Sequence, residues 1–398
     1  MIEEFVYSAD SSELRELAAM VRRFATQEIG ASGPVTQESD GEEVHRGGPP
    51  FKREHFGKMG ALGLTGSSIP EALGGTGLNT LGTTASIFEL ARAQLGPAIY
   101  LSVHLMVSKL IALWHNQSEI EHAAWRSLLA ELADGKKLAA FALTEAEAGS
   151  DAAALRTRAT RNGDDYILDG EKIYITSAPH ADLFLVFART GHDRSKGISA
   201  FVVDRDAKGL TIGKAERKMG CTGAPIASLN FESCKLPHTA RLGAEGAGLK
   251  IALSGLNGGR VSIAAAACGL ASRALELACL HANRRSQFGS TIAQFQGIQF
   301  MLADMAIKTR ASVLLTRDAA ARLDFGGTEN LAASMAKCFA TDAAMAVTTD
   351  AVQVFGGAGY LEDYEVERLM RDAKMLQIVE GTNQIQRVVI AKALLQTS

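Results

Sequence analysis

The stretch "YILDGEKIYI", Tyr166 to Ile175, sets the reading of the whole chain. β-branched and aromatic residues crowd both of its halves, and the Asp169-Gly170 pair between them is a hairpin signal, so two antiparallel strands joined at that pair are expected. The runs that follow repeat the pattern: "LFLVFAR" from Leu183, "ISAFVVD" from Ile198, "LTIG" from Leu210 and "SLNFESC" from Ser228. A compact β domain is therefore expected over residues 139–245.

Outward from this unit the period changes from 2 to 3.6. Toward the N-terminus, Asp10 reads as an N-cap with Glu13 three residues on, opening a helix with Leu14, Leu17, Ala18, Val21, Phe24 and Ala25 at helical spacing. Residues 31–50, rich in Gly, Pro, Ser and acids, read as a loop, and helical segments resume near His55, Ala85 and Leu105 to Leu132. Toward the C-terminus, Ala-, Leu- and Met-rich helical runs occupy residues near 250–283, 294–324, 328–354 and 364–374, with a last one from 382. The expectation is a helical domain at 1–138, the β domain, and a helical bundle at 246–398. A doubly wound α/β chain would alternate strands and helices throughout instead.

Composition narrows the function. With 47% hydrophobic and 21% charged residues and a net charge of −3 over 398 residues, the chain fits folded domains and offers no basic field for nucleic acid. No segment reads as a membrane span. Five cysteines, widely spaced and without a CxxC, argue against a disulfide framework, and no metal site is expected. The acidic start "MIEEFVYSADSSELREL" lacks the pattern of a targeting signal, so the expected location is cytoplasmic.

Several motifs carry two readings. In "FGGAGYLEDY", Phe355 to Tyr364, Gly357 and Gly359 precede Glu380 by roughly the interval between a dinucleotide fingerprint and its ribose-binding acid. Against that, Glu362 stands at the third glycine position and the preceding run is helical; a helix C-cap and turn explains the glycines as well. "FALTEAEAGSD", Phe141 to Asp151, sets Thr144 and Ser150 among small residues, as a ligand loop or an ordinary acidic loop would. In "KIYITSA", Tyr174 and Thr176 share a strand face and could stack on and hydrogen-bond a flat heterocycle, or simply pack a half-buried strand. "RRSQFG", Arg284 to Gly289, puts guanidinium forks at a helix end, where either the helix dipole or a phosphate accounts for them.

Taken together, "LTEAEAGSD", "YIT", "RRSQFG", "QVFGGAGYLEDYEVERLMRDAK" and "QIVEGTNQIQR", in that order, resemble the acyl-CoA dehydrogenase family over nearly the whole chain, in tone closest to its short- and branched-chain members. "PEALGGTGL" and "GLNGGR" extend the resemblance. It implies a mainly α fold with a central β-barrel and a C-terminal four-helix bundle. It also implies FAD held between subunits of a homotetramer, and electrons passed to an electron-transfer flavoprotein.

The activity it implies is α,β-dehydrogenation of an acyl-CoA, or another acyl thioester, to the trans-2-enoyl thioester. Glu380 of "EGT" matches the base, and Ile378 and Val379 are expected to raise its pKa. Leu143, Thr144, Gly149, Ser150, Tyr174 and Thr176 match flavin contacts, Ser150 also touching the thioester. Arg285, Gln287 and Phe288, with Gln296, Gln353, Gly356 and Gly357, match contacts to the FAD of a neighbouring subunit, and Thr382 and Gln384 match further ones. Asn257, Arg260 and Gly381 match substrate contacts. Gly259 stands where some members place the base, which leaves Glu380 alone in that role. Tyr174, Ala224 and Ile226 depart from commoner residues. A flavin oxidase or carrier-protein dehydrogenase on the same fold, and a non-catalytic helical interaction protein, are the alternatives.

Overall fold

A computed structural model describes residues 11–30, 50–117, 122–325 and 330–395. The expected loop at 31–50 falls almost wholly outside them, as does the expected cap Asp10. Helix α1, Ser12–Phe24, is capped one residue later, the Leu14 N–H donating to the Ser11 hydroxyl at 3.3 Å. Its buried face is Leu14, Ala18, Val21 and Phe24, the spacing of an amphipathic helix. Among the described residues of the first part, four more α-helices follow: α2 Arg53–Ala61, α3 Thr80–Ala93, α4 Leu95–Trp114 and α5 His122–Ala133.

The β part is one sheet of eight strands: β1 Ala139–Ala142, β2 Arg158–Asn162, β3 Asp165–Thr176, β4 Leu183–Arg189, β5 Ile198–Asp204, β6 Leu210–Ile212, β7 Ile226–Leu236 and β8 Arg241–Leu242. The order is β6-β7-β3-β2-β4-β5-β8, with β1 parallel to β4. The hairpin expected at Asp169-Gly170 is not a turn. Those residues lie inside one twelve-residue strand, β3, at a register shift against β7, and the chain reverses earlier, at Gly163-Asp164. Gly170 serves close approach: a Cβ there would meet the Thr157 Cα at 2.8 Å. A second bulge between Lys172 and Ile175 inverts the inward alternation, so Lys172 and Ile175, three apart, are both buried. Tyr174 and Thr176 flank Ile175, with Tyr174 left-handed at φ 58°.

Beyond the sheet, α6, Gly248–Arg284, runs 37 residues, about 55 Å. It is the spine of the molecule, packed against α3, α4, α7 (Gln296–Asp324) and α8 (Asn330–Phe355). Its Ala264 to Ala267 run is buried, letting neighbouring backbones approach closely. The hairpin strands β9 (Ser286–Gln287) and β10 (Ser290–Thr291) follow it, and α9 (Glu365–Leu376) and α10 (Asn383–Leu395) close the chain.

Three further expectations meet the structure here. No strand precedes "FGGAGYLEDY": Phe355 ends α8 and Gly356 at φ 62° is its left-handed terminator, so the dinucleotide-fingerprint reading falls and the C-cap reading stands. Among the described residues two helices are long and apolar enough to cross a membrane, Leu95–Gln117 and Gly248–Arg284, contrary to the composition reading; both are largely buried inside the fold. All five cysteines are free, and no metal-ligating cluster occurs among the described residues.

Candidate active site

Glu380 sits between α9 and α10 on a turn that local sequence forces into an unusual shape. Leu376 ends α9, and α10 starts at Asn383 with Thr382 as its cap, the Ile385 N–H donating to the Thr382 hydroxyl at 3.3 Å. Between them Glu380 and Gly381 are both left-handed, at φ 55° and 85°. Gly381 is required there, since a Cβ would meet the Gln386 Nε2 at 2.7 Å as well as the backbone penalty. For Glu380, a non-glycine residue, such a conformation costs about 1–3 kcal/mol and persists only where the surroundings impose it. The imposing groups are Gln386, whose Nε2 donates to the carbonyls of Glu380 (3.2 Å) and Gly381 (2.8 Å), and Lys337, whose Nζ donates to the Gly381 carbonyl at 2.9 Å.

The turn delivers the Glu380 carboxyl to a gap in α6. A Cβ on Gly259 would lie 2.6 Å from Glu380 Oε2 and 3.3 Å from the Met106 sulfur, so the missing side chain makes room for the carboxyl. Oε2 is buried without a hydrogen-bond partner, although the residue as a whole is half-buried. Burial pushes the Glu380 pKa up to about 7, against the pull of Arg260 and Lys337. Neither cation forms an ion pair with it. Ile378, expected to desolvate the acid, is itself 55% exposed; the carboxyl lies instead against the bare backbone of α6 at Gly259.

Two further orphaned polar atoms belong to residues of this neighbourhood, Arg260 Nε and Gln386 Oε1. Arg260 is buried and donates to Asn257 Oδ1 at 3.1 Å and to the Ser334 hydroxyl at 3.4 Å, which keeps its guanidinium off the carboxylate. Buried polar groups are normally satisfied, so these three atoms leave hydrogen-bonding capacity open to an outside molecule beside Glu380.

The β domain contributes a second group. The Ile173 N–H donates to the Thr144 carbonyl at 2.9 Å, which sets Tyr174 and Thr176 beside the Leu143–Ser150 segment. Buried Lys172 braces that segment, donating to the Leu143 carbonyl at 3.1 Å and to Glu145 Oε1 at 2.6 Å, while Glu145 accepts from the backbone of Arg156 and Thr157. Leu143 is buried, Thr144 and Thr176 half-buried, and Gly149 and Ser150 exposed. Tyr174 is 62% exposed.

The third group lies at the far end of α6. Arg285, Gln287 and Phe288 project on the β9–β10 turn, Phe288 left-handed and 97% exposed. The His281 ring stacks on Phe355 at 4.0 Å, bringing the α8 terminus with Gln353, Gly356 and Gly357 to the same end; Gln296, at the start of α7, is also exposed. Arg260 and Arg284 are separated along α6 by about 36 Å at 1.5 Å per residue, so a single chain does not bring this group to Glu380. Gln384 is exposed on α10.

Reasoning from sequence missed Lys337, Asn383, Gln386 and Met106. The cue available was a lone lysine in the apolar run "SMAKCFATDAAM".

Comparison with known proteins gives the family. Family models described as acyl-CoA dehydrogenase N-terminal, middle and C-terminal domains match residues 11–131, 140–234 and 246–395. A Bacillus subtilis acyl-CoA dehydrogenase is 43% identical over 94% of this chain and 96% of its own. The solved butyryl-CoA dehydrogenase of Megasphaera elsdenii superposes with a TM-score of 0.90 at 38% identity, over 97% of this chain and 99% of that one. A chain from the structure described as the electron transferring flavoprotein of Acidaminococcus fermentans superposes at 0.89 with 41% identity, over 97% and 99%. The chain belongs to the acyl-CoA dehydrogenase family.

Proposed function

We propose that this protein is an FAD-dependent dehydrogenase of acyl-CoA thioesters in which Glu380 is the base. The observation that carries the reading is the Glu380 carboxyl: buried, unpartnered at Oε2, shifted up to about 7 and held on a strained residue opposite the bare Gly259. A base poised near neutrality is matched to general-base work. A structural carboxylate at this depth would be paired instead.

The residues present fit the cofactor. A Cβ added at Gly149, Gly289, Gly356 or Gly357 meets nothing within 4 Å, so bare backbone is open to a ligand there, and the exposed aromatics Tyr174 and Phe288 are both left-handed. Leu143, Thr144, Ser150, Tyr174 and Thr176 would line the flavin; Arg285 and Gln287 would bind phosphate of the FAD carried by another copy. When bound, FAD supplies the two-electron acceptor for the hydride leaving the β-carbon. Glu380 takes the α-proton, its backbone N–H donates to the thioester oxygen as enolate charge develops, and Arg260 with Asn257 orients the thioester. The product is the trans-2-enoyl thioester.

The separation of the two ends of α6 favours a homo-oligomer. So does α7, where Phe300, Ile307 and Leu314, seven residues apart, form an exposed apolar stripe suited to a second copy. A homotetramer with an electron-transfer flavoprotein as acceptor is the proposed working state. The test is anaerobic titration of the purified protein with straight and branched acyl-CoAs and carrier-protein thioesters. Bleaching of a flavin spectrum supports the reading, and a protein that takes up no FAD overturns it. Rapid peroxide formation without an added acceptor would identify an oxidase.

A further inference from the structure

Lys337 is placed where the base needs a partner and nothing in the proton transfer itself calls for it. It lies in the N-terminal third of α8 with none of its surface exposed. Its ammonium donates to the Gly381 carbonyl at 2.9 Å and to Asn383 Oδ1 at 2.8 Å. Asn383 is fixed in turn, its Nδ2 donating to the Thr341 hydroxyl at 2.9 Å and to Asp342 Oδ1 at 2.7 Å, and its backbone N–H to the Gln377 carbonyl at 3.0 Å. A buried ammonium carries a heavy desolvation cost, and a neutral side chain would fill the space at less. Its retention on the carbonyl next to the left-handed Glu380 calls for a role.

We propose that Lys337 is the positioning residue of the base: it clamps the Gly381 carbonyl so that Glu380 keeps its left-handed conformation, and its charge keeps the buried carboxylate ionised and able to accept a proton. This rests on the assignment of Glu380 as base. The charged and titratable groups facing the ammonium are Glu380 from the turn, Arg260 from α6, and Cys338 and Asp342 from α8; Asp342 is paired by Arg387 of α10 at 2.6 Å. Of these, Arg260 shares the task of holding Glu380 charged, but its hydrogen bonds run to Asn257 and Ser334, away from the turn. Lys337 alone joins the charge to the backbone clamp. Burial brings the Lys337 pKa down to about 8, against the pull of Glu380.

The experiment is the pH profile of anaerobic flavin reduction by an acyl-CoA in the FAD-loaded protein, for wild type, Lys337→Met, Lys337→Arg and Glu380→Gln. FAD content and melting temperature are measured for each. Lys337→Met is expected to move the ascending limb alkaline by about one pH unit, a roughly tenfold loss of rate at pH 6 that shrinks as pH rises, since one unit is tenfold in the ionised fraction. Lys337→Arg should return the limb toward its wild-type position. A Lys337→Met profile lowered uniformly, with its limb unmoved, overturns the proposal and leaves only a packing role. Should Lys337→Met not fold, Lys337→Gln against Lys337→Arg makes the same comparison of charge. Glu380→Gln separates the two claims. If it reduces flavin at the wild-type rate, the assignment of the base falls; if it is inactive while the Lys337 limb stays put, only the role of Lys337 falls.

Discussion

Around Gly259 and Arg260, α6 is wrapped by α4, α8 and the Glu380 turn, and the Glu380 carboxyl is buried there near Arg260 and Lys337. At its other end, Arg285, Gln287 and Phe288 stand in solvent with the bare backbone of Gly356 and Gly357 beside them. Both ends carry left-handed non-glycine residues, Glu380 at φ 55° and Phe288 at 53°. Strain alone therefore does not distinguish them; burial does. The buried end uses low dielectric to shift a carboxylate toward neutrality, whereas the exposed end has no such leverage and offers geometry to whatever docks.

That contrast breaks most readily at Gly259. Gly259→Ala puts a methyl within 2.6 Å of Glu380 Oε2, and a displaced carboxyl should lower the rate of flavin reduction about 10²-fold while FAD content stays near that of wild type. Stopped-flow reduction and a flavin spectrum measure the two. At the exposed end the expected effect is smaller and opposite in kind. Arg285→Ala should weaken FAD retention about tenfold and lower the melting temperature by a few degrees, more so on dilution, because bound ligand stabilises only the state that holds it. A variant that keeps full FAD occupancy at low concentration would remove the contribution of another copy.

The smallest effect concerns stability. The folded pKa of Glu380, about 7, lies above the 4.5 of a free glutamate, so the folded protein holds more protons than the unfolded chain between those values. Stability from this group is present at low pH and declines as pH rises through that window. Glu380→Gln removes the decline and should melt higher than wild type at pH 8, by about 1 kcal/mol after allowing for the half-open setting of the residue. Scanning calorimetry at pH 5 and pH 8 should show the gap at pH 8 only.

How much of this was legible in sequence varies with how local each signal is. "EGT" pointed to its acid only through the resemblance of the ordered motifs to a known family, since by itself the lone carboxylate also read as a ribose ligand, whereas the α6 and α8 periodicities marked the helical bundle. The Asp169-Gly170 pair misled because Asp-Gly serves a bulge as well as a turn; which one results depends on Thr157 across the sheet, a contact that no window around residue 170 contains. Lys337 was invisible for the same reason. Its partners Gly381 and Asn383 lie more than forty positions away, and within α8 it is one cation among alanines. Ile378 shows the converse error: an apolar neighbour in sequence is turned to solvent, and the glutamate carboxyl is received by the gap at Gly259, more than a hundred positions away.

The most direct measurement is the rate of anaerobic flavin reduction by an acyl-CoA substrate in Glu380→Gln, with the FAD content and the binding of product-like thioesters measured on the same sample. Glutamine preserves shape and hydrogen-bonding capacity but cannot take the proton. The account predicts a folded, yellow protein that binds such ligands and reduces its flavin at least about 10²- to 10⁴-fold more slowly than wild type. A Glu380→Gln protein that is reduced at the wild-type rate would contradict it.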